Sequence, residues 1–201
     1  MSAVPADVAI GAPAPPPPAR PRVLLIGTSY AVAAIVLAFA GLAALYIEQR
    51  AVVIHSGAPW IPTDADIPTT PGTMMLITLL MSAVTMQWAV WAISRDDRPR
   101  TYMALGVTVV LGLAYINGIA FFFTQTGMAV TDPIGLFIFT LFGAHIAMVG
   151  AGLLFLGVMA FRTLGGQYSG RDREGITAAA IYWYAAVAVY CALWFLVFIK
   201  K

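Results

Sequence analysis

The sequence predicts an all-α integral membrane protein with five transmembrane helices. Its eleven Lys and Arg residues and its nine Asp and Glu residues all lie outside five long windows. These charge-free windows are residues 23–47, 67–94, 101–131, 133–161 and 175–199. A hydrocarbon layer about 30 Å thick is crossed by roughly 20 apolar residues in a helix, so each window is long enough. The hydrophobic fraction of 61% and the mean hydropathy of +0.87 agree with a fold set by lipid.

Each window holds one predicted helix, in a transmembrane domain that spans residues 23–201. We expect the helices near residues 23–47, 73–94, 102–123, 134–161 and 176–199. The first loop (residues 48–72) is the longest. Its four prolines are expected to prevent regular structure there; they are Pro59, Pro62, Pro68 and Pro71.

The first 22 residues are expected to be a separate, disordered cytoplasmic tail. Prolines at positions 13, 15–18 and 21 favour an extended backbone that cannot pack. A cleaved signal peptide is the competing interpretation, because Ala38, Phe39 and Ala40 form a small-x-small pattern. The apolar stretch around that pattern is too long, and the leader before it too extended, for a signal peptide.

Counts of Lys and Arg on the two sides of the membrane predict the orientation. With the N-terminus in the cytoplasm, the cytoplasmic side carries eight basic residues: Arg20, Arg22, Arg95, Arg98, Arg100, Arg162, Arg171 and Arg173. The outer side carries three, which are Arg50, Lys200 and Lys201. The positive-inside rule therefore favours an N-in, C-out topology. The terminal lysines are expected to reach from the end of the last helix toward the interface.

Few residues in the predicted membrane segments can carry chemistry. Transmembrane proton and ion paths rely on buried carboxylates, lysines or histidines, and these windows contain only His145, besides tyrosines and Cys191. The chain has two histidines, the other being His55, and a single cysteine, with no C-x-x-C-H haem motif. We therefore expect no catalytic residue and no metal or cofactor bound by this chain. Cys191 is interpreted as a small packing residue.

Two features of the fourth helix, His145 and a row of small residues, are interpreted in turn. His145 is either a proton acceptor or partner contact, or a neutral histidine hydrogen-bonded to a carbonyl or hydroxyl group of a neighbouring helix. The lack of a carboxylate in any membrane window favours the second interpretation. Gly143, Ala147, Gly150 and Gly157 share one helix face, where we expect close helix–helix packing within the chain.

Two further clusters lie in the second and fifth helices. Tyr182, Trp183 and Tyr184 open the fifth helix and are expected to lie at the level of the lipid headgroups. Three polar residues of the second helix are predicted to make hydrogen bonds between helices; they are Ser82, Thr85 and Gln87.

Five segments carry a resemblance to a known family. They are FAGLAALYIEQR (39–50), TMMLITLLMSAVTMQWAVWA (73–92), GLAY (112–115), LFGAHIAMVGAGLLFLGVMAFRTLGGQYSG (141–170) and YWYAAVAVYCALWFLVFI (182–199). The fourth segment contains a glycine-x-histidine and a basic exit loop, and the fifth begins with tyrosine and tryptophan. In this order the segments resemble the cytochrome c oxidase subunit III family of the haem–copper oxidases, in a diverged, five-helix bacterial form.

This sequence has the family's residue at some positions and a different residue at others. His145, Tyr182 and Trp183 are retained. The family's polar membrane residues are replaced here by Ala34, Ile35, Ile119, Phe122, Met148, Tyr184, Val187 and Tyr190. Losing the membrane carboxylates implies a scaffold for packing and lipid contact rather than for proton handling. The residues expected to make its structural contacts are His145, Tyr182, Trp183, Ser82, Gly143 and Gly150.

The resemblance implies a non-catalytic component of a bacterial terminal oxidase, in the cytoplasmic (plasma) membrane and in aerobic electron transport. Its expected partners are subunit I, which would hold haem and copper, subunit II, and phospholipids between the helices; no nucleic acid is expected. One alternative is a subunit III-like accessory protein of nitric oxide reductase. The others are a small-solute transporter and a membrane organiser. The odd helix number, the lack of internal repeats and the lack of paired broken helices disfavour a transporter.

Overall fold

The computed structural model describes residues 22–63, 65–170 and 172–199. Within these ranges the chain forms five long helices: α1 (Val23–His55), α2 (Thr69–Ile93), α3 (Arg98–Gln125), α4 (Pro133–Leu164) and α5 (Glu174–Trp194). A π-helical segment (Phe195–Ile199) continues α5. All five helices are long and apolar enough to cross a membrane, so the predicted five-helix membrane architecture is confirmed. The proposed tail lies, except for Arg22, outside the described residues, as do both terminal lysines.

Most of the helices begin earlier or end later than the hydrophobic windows indicate. α1 continues through Glu48 and Arg50 to His55, about two turns beyond its predicted end. Charged residues end a hydrophobic window but not a helix, and no glycine or proline occurs between Gly41 and Gly57. α2 begins at Thr69 and contains Pro71, which was expected to prevent helix formation. The first turn tolerates this proline because N–H groups there have no intrahelical acceptor.

Helices α2, α3, α4 and α5 form a ring in which each contacts its two neighbours, and α1 lies outside this ring. α1 packs mainly on α5 and slightly on α4, so α5 lies between α1 and the rest of the bundle. Few α1 side chains are buried; they are Thr28, Phe39 and Tyr46. Most of its apolar surface therefore faces lipid or another protein.

The first loop is irregular, as its prolines predict, but it packs against the helix ends. Trp60 is buried and its indole Nε1 donates a hydrogen bond to the hydroxyl of Tyr46, 3.2 Å away. The backbone N–H of Asp66 donates to the carbonyl of Thr126, at 3.2 Å, just beyond α3. These contacts hold the loop over one end of the bundle.

The opposite end is held by hydrogen bonds between its loops and helices. Asp96 has a φ of 58°, a left-handed conformation that aspartate adopts more readily than most residues. Its Oδ1 accepts a hydrogen bond, at 2.6 Å, from the backbone N–H of Gly170 in the α4–α5 loop. The Tyr102 hydroxyl donates to the carbonyl of Thr163 at 3.0 Å, which joins α3 to the end of α4.

Candidate functional site

His145 lies at the centre of the bundle, on α4, and is fully buried. Its Nδ1 lies 2.6 Å from the hydroxyl oxygen of Tyr115 on α3, and its Nε2 lies 2.9 Å from the carbonyl oxygen of Ala186 on α5. A carbonyl oxygen can only accept, so the proton is assigned to Nε2. In the neutral imidazole Nδ1 then accepts from Tyr115. One side chain thus joins three helices through a hydroxyl group and a carbonyl group.

Aromatic rings surround this histidine. The ring centroids of Tyr115, Tyr190 and Phe39 lie 5.3, 5.5 and 6.0 Å from that of His145. An uncompensated charge in such a place is strongly unfavourable. The surroundings therefore favour the neutral ring and its role as a link between helices.

Trp183, on α5, lies in a slot between three other helices and is fully buried. Its Nε1 donates to the hydroxyl oxygen of Ser82 on α2, at 3.0 Å, and that hydroxyl donates to the carbonyl of Leu79 at 2.6 Å. A methyl group at Gly112 of α3 would lie 2.7 Å from the ring, and one at Gly152 of α4 would lie 3.1 Å from it. Gly112 therefore leaves the space that the indole fills, and Gly152 allows α4 to approach it closely.

The expectation that this aromatic cluster lies at the headgroup level is wrong for Trp183 and Tyr182, which are 1% and 9% exposed. The Tyr182 hydroxyl donates to the carbonyl of Met148 on α4, at 3.0 Å. α5 begins at Glu174, so Trp183 is already more than two turns inside the helix. Partly buried Tyr184 donates its hydroxyl to Gln87 Oε1 on α2, at 2.7 Å.

Other hydroxyl groups also connect helices of the ring. Thr85 on α2 and Thr108 on α3 share a hydrogen bond of 2.7 Å. Tyr190 on α5 donates to the carbonyl of Gly72 on α2 at 3.0 Å. We call His145, Tyr115, Trp183, Ser82, Tyr182 and Tyr190 together the polar core. Its members make neutral hydrogen bonds that fix neighbouring helices to each other.

The predicted packing of Gly143 and Gly150 within the chain is wrong. A methyl group at Gly143, Gly150 or Gly157 would meet no described atom within 4 Å, so this face of α4 is open. The inward face carries His145 and Gly152. These residues are seven positions apart, about two helical turns, and therefore lie on the same side of the helix. The small residues Gly143, Gly150 and Gly157 therefore lie on a different face of α4 from the one that packs in the bundle.

Sequence reasoning also missed Tyr115 and Tyr190 as hydrogen-bonding residues, together with Gly112 and Gly152. Gly112 and Tyr115 lie in the GLAY segment, and Gly152 shares a helix face with His145, so weak signals were present. Among the described residues, no three His, Cys, Asp or Glu side chains come together. The buried polar side chains described above therefore join helices through hydrogen bonds.

Both histidines have ring nitrogens directed at protein atoms. In the assigned tautomer, the Nδ1 lone pair of His145 faces the Tyr115 hydroxyl group and its Nε2 carries a proton. His55, the last residue of α1, has its Nδ1 2.7 Å from the carbonyl oxygen of Ala51. A histidine ligand must offer a free nitrogen lone pair to a metal or haem iron. In this arrangement both ring nitrogens of His145 are engaged by protein groups, and its ring offers no free lone pair.

Comparison with known proteins identifies a family for this chain. The model of the family described as cytochrome c oxidase subunit III matches residues 21–200. A protein named cytochrome c oxidase subunit 3 from Corynebacterium diphtheriae is 26% identical over 183 residues, covering 89% of this chain and 89% of the relative. One of the same name from Strongylocentrotus purpuratus is 30% identical over 164 residues, covering 80% of this chain. Another, from Petromyzon marinus, is 30% identical over 155 residues, covering 75% of this chain.

The relatives differ in length. The aligned region spans 63% of the Strongylocentrotus purpuratus protein and 59% of the Petromyzon marinus protein, but 89% of the bacterial one. The family model matches the chain from residue 21, just before α1, to residue 200. It therefore includes every helix described above and the whole polar core. On this match, the chain belongs to the cytochrome c oxidase subunit III family.

Proposed function

We propose that this protein is the non-catalytic subunit III of a bacterial haem–copper terminal oxidase, which acts in aerobic electron transport. The observation that carries the proposal is the family match over residues 21–200. The geometry agrees with a supporting role, because the buried polar groups of the polar core are paired with each other or with backbone carbonyls. Catalysis belongs, on this proposal, to a partner subunit I that holds haem and copper, with subunit II beside it.

Two features of the surface support a role in a larger complex. α1 buries only three side chains, and a methyl group at Gly143, Gly150 or Gly157 of α4 would meet no described atom within 4 Å. Small residues let transmembrane helices approach closely. This chain packs against the side of the catalytic subunit, retains phospholipid between helices and stabilises the active complex.

The topology proposed with this function is N-in, C-out in the bacterial cytoplasmic membrane. The basis is the excess of arginine on one side, where the α2–α3 loop and the α4–α5 loop lie. Both loops lie at the end of the bundle where α1 begins. Cysteine accessibility tests this: a single cysteine at Ser169, in a Cys191→Ala background, should be labelled by an impermeant maleimide only in inverted vesicles. Labelling in intact cells would reverse the orientation.

A tagged pull-down in mild detergent tests the proposed function. The visible absorption spectrum of the preparation and mass spectrometry of the co-purifying chains are measured together. We expect haem a with an oxidase catalytic subunit. Haem b with nitric oxide reductase chains would instead assign the protein to that enzyme. A colourless preparation without a haem protein would overturn the respiratory role and leave a transporter or a membrane organiser.

A further inference from the structure

Asn117, the only asparagine in the sequence, lies on the outer side of α3 and is exposed. Among the residues that the structure describes, none forms a hydrogen bond with its carboxamide. The carboxamide of Gln87 on α2 is also exposed, but it accepts a hydrogen bond from the Tyr184 hydroxyl at 2.7 Å. Asn117 therefore offers both a donor group and an acceptor group to whatever surrounds the bundle.

The length of α3 places Asn117 within the hydrocarbon layer. α3 has 28 residues and is about 42 Å long at ~1.5 Å per residue. A layer of about 30 Å leaves roughly 6 Å of the helix beyond it at either end. Asn117 lies about 12 Å before Gln125, the last residue of α3. Its side chain is too short to reach the interface as lysine and arginine side chains do. A carboxamide at this depth is unfavourable unless another group hydrogen-bonds with it.

Asn117 belongs to a regular repeat on the outer side of α3. Exposed residues there follow one another at alternating spacings of three and four positions. This is the spacing of the a and d positions in a helix that packs along another helix. We call the set the outer α3 face; its residues are Val110, Leu113, Asn117, Ala120 and Thr124.

The outer α3 face takes no part in the packing of the bundle. Val110 is 63% exposed and Leu113 is 55% exposed. In the helix ring α3 contacts α2 and α4 and lies opposite α5, on which α1 packs. The outer α3 face and α1 are therefore on opposite sides of the molecule.

A second copy of this chain provides the group that Asn117 lacks. All copies insert into the membrane with the same orientation, so two α3 helices are parallel and their asparagines lie at the same depth. One carboxamide both donates and accepts, so two of them can pair across a two-fold axis. In parallel helix pairs, a β-branched residue at a and leucine at d favour two strands, and a single asparagine at a fixes the register. Val110, Leu113 and Asn117 follow this order.

We propose that the protein forms a parallel homodimer in the membrane through the outer α3 face, with the Asn117 carboxamides of the two copies hydrogen-bonded to each other. The small side chain of Ala120 lets the two helices approach closely. The interface depends only on the membrane location of the chain. It also lies on a different helix from the α4 residues proposed to contact the catalytic subunit, so its failure would leave the proposed function intact.

Cysteine cross-linking in native membranes locates the interface. In a Cys191→Ala background, Leu113→Cys places a thiol on the outer α3 face. Leu37→Cys is the control, because Leu37 is 72% exposed and lies at a similar distance from the beginning of α1 as Leu113 from that of α3. After mild oxidation, non-reducing electrophoresis should show a homodimer for Leu113→Cys and only monomer for Leu37→Cys. Monomer alone for both variants, or a Leu113→Cys product in which mass spectrometry finds a different chain, would overturn the proposal.

Variants of Asn117 test the hydrogen bond itself. Förster transfer between labelled copies of the full-length protein in liposomes, over a series of protein-to-lipid ratios, measures the association constant. Asn117→Leu should lower this constant about tenfold, the scale of interhelical hydrogen bonds in model peptides, and Asn117→Gln should retain most of it. Because Asn117 is exposed, the leucine variant should keep the unfolding temperature of the wild type.

Ser29→Ala is the matched control for the loss of a polar group, because it removes an exposed hydroxyl group from α1. We expect it to leave the association constant unchanged. An association constant that Asn117→Leu does not lower, or that Ser29→Ala lowers equally, would rule out pairing through Asn117.

Discussion

At the scale of single residues, His145 makes the most connections of any buried polar side chain described here. It is hydrogen-bonded on both ring nitrogens, to Tyr115 and to the carbonyl of Ala186. An unpaired group would remain buried if either partner were lost, and such a group costs about 1–3 kcal/mol in water-soluble proteins. In membranes the measured average for interhelical hydrogen bonds is lower, about 0.6 kcal/mol.

His145→Leu should therefore destabilise the protein by about 1–2 kcal/mol, because it leaves the buried Tyr115 hydroxyl without its partner and removes the hydrogen bond that joins α4 to the Ala186 carbonyl of α5. His145→Gln, whose amide can both donate and accept, should lose less. Thermal unfolding in detergent, followed by circular dichroism, measures both. If His145→Gln unfolded as early as His145→Leu, hydrogen bonding would not be what this residue contributes. A loss of proton-linked activity with assembly intact would show a functional role instead.

Gly152 and Gly150 make a matched pair of residues on one helix. A methyl group at Gly152 would lie 3.1 Å from both the Trp183 and the Tyr182 rings, whereas one at Gly150 would meet no described atom. Gly152→Ala should therefore lower the unfolding temperature, with a free-energy loss of about 1–3 kcal/mol from overpacking. Gly150→Ala should not lower it, since alanine is also the better helix former. Equal melting temperatures for the two variants would contradict the assigned inward face of α4.

At the scale of elements, the beginning of α1 depends on a residue from another helix. The first N–H groups of a helix have no intrahelical acceptor, and here Glu174 of α5 accepts from the N–H of Leu25. α1 otherwise packs on the bundle through few buried side chains. This hydrogen bond therefore fastens an outlying helix at one of its ends.

Glu174→Ala should loosen this end of α1, with a cost of about 1 kcal/mol typical of a lost cap. Hydrogen–deuterium exchange by mass spectrometry should show faster exchange of the peptide that contains Leu25 and unchanged exchange in α3. Glu174→Gln is the control, because its amide oxygen can still accept from Leu25. Unchanged exchange in the alanine variant would mean that lipid or packing alone holds α1.

At the scale of the whole molecule, most polar groups lie inside the helix ring and the outer faces are largely apolar. Methyl groups at Gly143, Gly150 and Gly157 of α4 would meet no described atom within 4 Å, and α1 buries only three of its side chains. In a bilayer such surfaces contact lipid, or a partner subunit that replaces lipid. Contact of this α4 face with lipid would be expected of a membrane protein that acts alone, and contact with a partner subunit would be expected of a component of a complex.

Gly150→Leu should leave the melting temperature of the isolated chain unchanged and reduce co-purification of the catalytic subunit, if this face of α4 packs against it. Gly106→Leu on α3 is the matched control, because Gly106 also has no described atom near a substituted methyl group. The yield of partner per tagged chain is measured for both. Full recovery of the partner with the Gly150 variant would assign this face to lipid.

The number of helices, their order and the membrane environment follow from the amino-acid sequence alone. This follows because a helix in lipid satisfies its own backbone hydrogen bonds, so each charge-free window can be interpreted alone. The ordered motifs were also sufficient to indicate the family. Helix ends were less accurate, as at His55 and Pro71, because hydrophobicity marks the hydrocarbon boundary whereas capping and the positions of proline and glycine determine where a helix stops.

The contacts between side chains of different helices depend on the three-dimensional packing. The partners of His145 lie on α3 and α5, 30 and 41 residues away, and no local pattern specifies such distances. The same holds for Trp183, which sequence placed at the headgroup level and the bundle places between Gly112 and Gly152. The rotation of each helix about its axis selects the inward face, and in lipid both faces are apolar. Composition therefore could not distinguish the face of Gly150 from the face of Gly152.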